Sequence, residues 1–275
     1  MIQAFLEAVK AILPKDRIYT DELRTLAWGT DASEYKLTPK VVLRAACEEE
    51  VSQVLELASR FGLPVTFRAA GTSLSGQAIS DSILLVAGKH WEKWQYHEDT
   101  TVTLQPGIVG AKVNQHLAPF GRHFGPDPAS IGSCMVGGIV NNNASGMSCG
   151  THANSDKMLI SARMVLSDGT VLDTASEESR QAFREKHPEI ISGIEQLRKE
   201  VMADEKLAAR IRHKYSIKNV TGLNIRPLVA YEDPFEILAH LLVCSEGTLA
   251  FLSEVTMKTL PIAPYKASAM IYFPD

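Results

Sequence analysis

No run of apolar residues in this 275-residue chain is long enough to cross a bilayer as a helix, so no transmembrane segment is expected. The N-terminus has no signal-peptide layout either. Cysteine is scarce: Cys47, Cys134, Cys149 and Cys244 are scattered, with no C-x-x-C pair. That pattern signals neither zinc nor an iron–sulfur cluster, so no metal is expected. Free cysteines of this kind fit a reducing compartment, and a cytoplasmic location is the expectation. Neither sign of charge dominates, since 28 Lys and Arg against 32 Asp and Glu leave −4. Without a basic patch, nucleic acid is not an expected partner. Two common nucleotide signatures are also missing. No G-x-G-x-x-G follows the first strand, which excludes a Rossmann reading, and no Gly-Lys-Ser/Thr makes a Walker A loop. Ser73 lacks a G-x-S-x-G elbow. His116, His123 and His152 lack metal spacing.

What is present is an ordinary globular balance, 45% hydrophobic and 22% charged, enough for one large or two small domains. Residues 1–13 carry Ile2, Phe5, Leu6, Val9, Ile12 and Leu13 at helical spacing. Residues 18–39 read as an irregular arm, packed across the first lobe. Val41–Arg44 reads as a buried strand. Glu48–Phe61 reads as a helix with an acidic first turn, stopped by Gly62. Strands come next at Val65–Arg68 and Ile83–Ala87, and strand–helix–strand units imply a small parallel sheet. A strand over 101–105 and a helix through Val109, Val113 and Leu117 succeed them. A loop rich in proline and glycine spans 124–138. Residues 160–173 read as a hairpin closed by Asp168-Gly169. Helices are expected over 176–213 and 234–243, and strands over 249–260 and from 266 to 273. The expected division is an arm at 1–39, a first lobe at 40–105, a second lobe at 106–262, and a further domain beginning at 263–275.

The most informative stretch is Pro64-Val-Thr-Phe-Arg-Ala-Ala-Gly-Thr-Ser-Leu-Ser-Gly-Gln77. It opens as a strand and ends in small residues. Successive backbone N–H groups in such a turn form a concave anion site, which holds a phosphate without a lysine. Thr72 and Ser73 add hydroxyl donors. A plain Gly/Ser turn between strands is the competing reading. Two further loops of small residues occur at 125–146 and 244–249. One loop suffices for a phosphate; three suit a long, flat ligand such as a dinucleotide.

Taken together, Arg68-Ala-Ala-Gly-Thr-Ser-Leu-Ser-Gly76, Pro126-Asp-Pro-Ala-Ser-Ile-Gly132 with Val136–Gly146, and Ser245-Glu-Gly-Thr-Leu-Ala250 resemble three segments of a known family. The chain is similar to the FAD-binding region of the vanillyl-alcohol-oxidase-like flavoproteins. Within these it most resembles the D-lactate dehydrogenase and glycolate oxidase FAD-subunit group. Asn141–Gly150 and Asn224–Pro234 look like long members with a fused iron–sulfur region.

The resemblance implies an α+β fold with FAD extended between two lobes. One lobe has a small mixed sheet; the other has a larger, mainly antiparallel sheet with flanking helices. It also implies roles. Arg68, Ala69, Ala70, Gly71, Thr72, Ser73, Leu74 and Gln77 would hold the pyrophosphate, mainly by backbone N–H. Ser130, Gly132, Gly137, Gly138 and Asn141 would line the flavin and ribityl chain. Ser145 and Gly146 would lie near the adenosine or ring face, and Glu246 and Gly247 would close the site. Relatives that tether FAD in the first loop use a histidine; none falls in 64–77, so FAD is expected to be non-covalent. Ala69-Ala70 stands where the group often has Gly-Gly.

The implied activity is oxidation of a small 2-hydroxy acid, such as D-lactate, by hydride transfer to FAD. The implied electron acceptor is an iron–sulfur region or a quinone, and a peripheral place at the inner face of a membrane is compatible with this. The catalytic base and the substrate-carboxylate ligands are expected beyond residue 275. Two rival readings stand: an alditol-oxidase-like or cell-wall-precursor-reductase-like enzyme of the same fold, and a non-catalytic FAD-binding subunit. Glu246 as a base competes with Glu246 as a turn residue. Lys214 and Lys218 with Arg226 offer charge to an anionic substrate, against the more common reading of a solvated face. Cys149 and His152 read as packed or surface residues.

Overall fold

The computed structural model describes residues 1–265, 267 and 269–273. The first apolar face forms α1 (Ile2–Val9) and a following turn, burying Phe5, Val9 and Leu13. The arm is not irregular throughout. It holds β1 (Ile18–Tyr19) and α2 (Glu22–Ala27), the latter capped by Asp21, whose carboxylate accepts from Arg24 N at 3.0 Å. An aspartate N-cap satisfies one of the helix's orphan donors, which explains this short helix. β1 exists because Ile18 and Tyr19 pair with Leu43 and Val42, a tertiary cause that no local pattern displays.

β2 (Val41–Leu43) is fully buried. α3 (Glu48–Arg60) lays Val51, Val54, Leu55 and Ala58 into the core beside β2. Each such burial is worth about 1.5–3 kcal/mol, so packing rather than propensity holds this helix. Gly62, at φ +61°, ends it. β3 (Val65–Arg68) and β4 (Ile83–Val86) complete a sheet ordered β1-β2-β4-β3. β2 and β3 run parallel to β4, while β1 is antiparallel to β2, so the sheet is mixed.

The larger sheet starts with β5 (Trp94–Tyr96) and β6 (Thr101–Leu104). Both fall before residue 105, so sheet membership divides the chain between β4 and β5, earlier than the boundary expected at 105. α4 (Gly110–Leu117) and β7 (Arg122–Phe124) follow. Then comes α5 (Val136–Asn142), where the sequence suggested a loop as far as Gly138. Next are α6 (Ser155–Met158), β8 (Leu159–Val165) and β9 (Val171–Asp173). β8 and β9 form the expected hairpin, with Gly169 at φ +83°. α7 (Glu177–Lys186), α8 (Pro188–Ala203), α9 (Glu205–Lys214), α10 (Pro227–Ala230) and α11 (Pro234–Leu241) form a helical excursion before β10 (Phe251–Pro261).

β10 is the spine of this lobe. The order is β5-β6-β10-β8-β9, β7 also pairs with β10, and every pair is antiparallel. Its first residue joins the lobes: the Phe251 ring meets Phe67 at 5.3 Å and Trp91 at 5.1 Å. Arg163 of β8 bonds Glu48 of α3 at 2.7 Å across the same junction. Of the strand expected over 266–273, Lys266 and Ser268 lie outside the described residues, as do Pro274 and Asp275; the described remainder is irregular.

Candidate functional site

A cavity of about 410 Å³ lies where the three small-residue loops meet, within the range of small-molecule sites. The first loop supplies Arg68 to Ser75 and Gln77 to its wall. Ala70, Gly71, Thr72, Ser73 and Leu74 have backbone N–H groups with no acceptor among the described residues. Five successive amides without acceptors in a bend are compatible with an anion site. The arm fixes this bend from outside. Ala32 N donates to Gly71 O at 3.0 Å, and Ala78 N donates to Asp31 Oδ2 at 3.4 Å.

Arg68 does not face the cavity as a free cation. Its Nη1 donates to Thr30 O at 2.7 Å, Ala78 O at 3.3 Å and Trp28 O at 3.4 Å. Burial pulls its pKa down, against the attraction of Asp31. Its Nε is buried without a partner. The guanidinium fills the space beside Gly71, where a Cβ would sit 2.5 Å from Nη2. Gly71 also has φ +74°, a conformation that side chains resist. Ala69 and Ala70 do not have positive φ, so the alanine pair costs the bend nothing. Ser73 Oγ lies against Gln77 Oε1 and accepts from Ser75 N at 3.2 Å.

The second loop contributes Ser130, Gly137, Gly138, Asn141 and Ser145. Gly137, Gly138 and Asn141 sit on α5, which the Gly-Gly pair concealed. The two glycines differ. A Cβ on Gly137 would meet Pro106 Cβ at 2.8 Å, whereas one on Gly138 would meet nothing within 4 Å. Asn141 Nδ2 donates to Gly137 O at 2.8 Å. The Ser145 hydroxyl is buried without a partner. Two expected residues fall outside the cavity lining. Gly132 is exposed and does not line the cavity. Gly146 does not line it either, because it packs on the Asp127 carbonyl, which a Cβ there would overlap.

The third loop caps α5. Asn143, at φ +52°, ends the helix, and Ala144 N bonds Ile139 O at 2.9 Å. Glu246 N donates to Asn141 O at 2.9 Å, and Cys244 N to Val140 O at 3.4 Å. Carbonyls orphaned at the end of one loop's helix are thus satisfied by the next loop. Glu246 and Gly247 line the cavity, at φ +54° and +74°. The Glu246 carboxylate accepts from Asn142 Nδ2 at 2.7 Å. Burial raises its pKa, and that hydrogen bond works against the rise.

Lys218 also lines the cavity, while Arg226 is paired with Asp156 at 2.6 Å and Lys214 is not a lining residue. Phe67, Pro106, Pro128, Cys134, Val220 and Leu252 are lining residues that sequence reasoning missed. Only the strand pattern around Phe67 hinted at such a position. His116 stacks on Trp94 at 4.3 Å, and His123 Nδ1 lies 3.0 Å from the Phe124 carbonyl, so both have structural places. His152 does not line the cavity, and Cys149 is buried and does not line it either.

Comparison with known proteins agrees with this geometry. Residues 39–175 match the FAD binding domain family, and that part of the chain belongs to it. The matched residues are therefore an FAD binding domain, with FAD as its cofactor. Among curated relatives, a D-2-hydroxyglutarate dehydrogenase of Haemophilus influenzae is 26% identical over 274 residues, covering 90% of this chain and 25% of the relative. The glycolate oxidase subunit GlcD of Escherichia coli is 30% identical over 164 residues, covering 58% of this chain and 33% of the relative. A D-lactate dehydrogenase of Archaeoglobus fulgidus is 24% identical over 262 residues, covering 94% and 46%. The chain thus spans about a quarter of the length of the first of these. Among solved structures, an alkyldihydroxyacetonephosphate synthase superposes with TM-score 0.63 at 18% identity, covering 96% of this chain and 41% of that one. A glucooligosaccharide oxidase from Acremonium strictum gives 0.58 at 16%, covering 92% and 42%. These two show the fold alone.

The residues present fit FAD. The free amides of 70–74 suit a pyrophosphate, Gly71 holds the positive φ of the bend, and Ser145 offers an orphaned hydroxyl.

Proposed function

We propose that the chain is the FAD-binding part of a flavin-dependent dehydrogenase that oxidises a small D-2-hydroxy acid, with D-lactate and D-2-hydroxyglutarate the leading substrates. The observation that carries the reading is the amide-lined bend at 70–74, which faces a cavity shared by three loops. The substrate class is supported by relatives named for D-2-hydroxyglutarate, glycolate and D-lactate. FAD supplies the hydride acceptor when bound. The residues of this chain bind and orient it. The backbone of 69–74 with Gln77 holds the pyrophosphate; Ser130, Gly137, Gly138 and Asn141 flank the flavin and ribityl chain; Glu246 and Gly247 close the site. No histidine lines the cavity among the described residues, and burial raises the Cys134 thiol, which keeps it a poor nucleophile. These features support non-covalent attachment. The base and the substrate-carboxylate ligands come from parts of the full-length protein outside these residues. An iron–sulfur region or a quinone takes the electrons.

The visible absorption spectrum of the purified protein is the first test. Flavin bands should appear, or grow on adding FAD, and the flavin should leave the protein on denaturation. A colourless protein that binds no added FAD would sink the reading. The full-length enzyme should then reduce a dye with D-lactate or D-2-hydroxyglutarate and not with their L-enantiomers.

A further inference from the structure

Three ionisable groups other than the Cys134 thiol line the cavity: Arg68, Lys218 and Glu246. A pyrophosphate diester brings two negative charges into it. The first loop answers with amide dipoles and the single charge of Arg68. Arg68 has its Nη1 tied to three backbone carbonyls, and Glu246 adds a carboxylate that offsets its charge. Lys218 is different. Its ammonium has no carboxylate partner among the described residues, and its one hydrogen bond, at 3.3 Å, goes to the carbonyl of Ser145. The Ser145 hydroxyl is the buried orphan on the same wall. An exposed ammonium bonded only to the Ser145 carbonyl and the buried, unpartnered Ser145 hydroxyl therefore belong to the same wall, in a cavity where Arg68 and Lys218 are the only cations among the described residues.

We infer that Lys218, with the Ser145 hydroxyl, forms an anion subsite that neutralises the pyrophosphate and selects the anionic dinucleotide over an uncharged flavin. The placement has a structural basis. Asp156, a buried residue of α6, holds Arg226 through Oδ2 at 2.6 Å and Asn224 through Oδ1 at 2.8 Å. Those bonds anchor the segment that follows Lys218. Arg226 is thereby consumed in positioning, and Lys218 keeps a free charge. The inference rests on the FAD reading.

Equilibrium titrations of the chain with FAD, ADP and riboflavin, at low and high salt, test both together. Lys218→Gln should weaken FAD and ADP on the order of tenfold, the lower end for a charged hydrogen bond. Riboflavin affinity should stay put. The salt dependence of FAD binding should flatten, because one screened attraction is gone. Lys218→Arg should restore most of the loss, and Ser145→Ala should weaken FAD in the same direction. Unchanged FAD affinity in Lys218→Gln would overturn the inference. Equal weakening of FAD and riboflavin would also overturn it, since Lys218 would then act by packing. Unchanged FAD binding alongside weaker protection by 2-hydroxy acids would move the subsite to the substrate carboxylate and overturn it likewise. A wild-type chain that binds neither FAD nor ADP would instead overturn the functional reading itself.

Discussion

At Gly71 two constraints coincide. The residue sits at φ +74°, and the Arg68 guanidinium occupies the volume where a side chain would project. A β-branched residue is the worst replacement, because it resists positive φ and cannot turn away from Arg68. Gly71→Val should purify without flavin while its far-UV circular dichroism stays close to wild type. Full flavin occupancy in that variant would show that 70–74 is not the phosphate site. Glu246 gives a pH signature. Its carboxyl is raised by burial, so the folded state holds its proton to higher pH than the unfolded state. The sign is set by linkage: this group's contribution is fully present below the ordinary carboxylate pKa and is lost as pH rises through the raised value. Glu246→Gln keeps the shape and removes the titration. Urea midpoints of the flavin-free protein should therefore favour the variant increasingly from mildly acidic to neutral pH. A constant difference between the two proteins across that range would contradict the assignment.

Among the elements, α5 does most to shape the cavity. Its paired glycines have separate jobs: Gly137 lets α5 close on Pro106, while Gly138 opens on the cavity. Gly138→Leu should lose FAD and stay folded and soluble. Gly137→Leu should lower the melting temperature with or without FAD, because overpacking typically costs about 1–3 kcal/mol. If both variants behave alike, the division of labour is wrong. This helix also marks the limit of what the sequence displays. Val136-Gly-Gly-Ile-Val-Asn-Asn reads as loop because glycine and asparagine are poor helix formers. Its stability comes from elsewhere: Ile108 O and Pro106 O receive its first amides, and residues 244–246 satisfy its last carbonyls. Such partners are remote in sequence and leave no local mark. α3, β3 and the β8–β9 hairpin were legible because their periodicity and their stop residues Gly62 and Gly169 are local. The free amides of 70–74 were legible because backbone exposure follows from small side chains. Cys134, Val220 and Leu252 were not, since only the convergence of distant strands and loops brings them to the cavity. Gly132 and Gly146 show the converse: a residue inside a matching segment can serve the loop's own packing or face solvent.

For the molecule as a whole, binding and turnover should separate. The cavity has the means to hold FAD, and among the described residues its ionisable lining is Arg68, Cys134, Lys218 and Glu246. Arg68 is engaged and the Cys134 thiol is held protonated by burial. Lys218 is bonded to the Ser145 carbonyl. Glu246 alone could serve as a base, and its position is fixed by α5 rather than by any substrate-binding group. The chain also spans about a quarter of the length of the dehydrogenase relative it matches over 90% of its own length. We therefore predict that added FAD raises the melting temperature of this chain, by ligand linkage to the folded state. With a dye acceptor, D-lactate, glycolate and D-2-hydroxyglutarate should give no turnover above free flavin. Without groups that orient a hydroxy acid over the ring, the advantage of a bound, aligned pair is lost, and that advantage reaches about 7–11 kcal/mol at best. The two halves of the prediction fail differently. No thermal shift with FAD would remove the cofactor site. Stereospecific oxidation of any of these acids by the 275-residue chain would show that the base lies within it, and Glu246→Gln would then be expected to abolish turnover while sparing FAD binding.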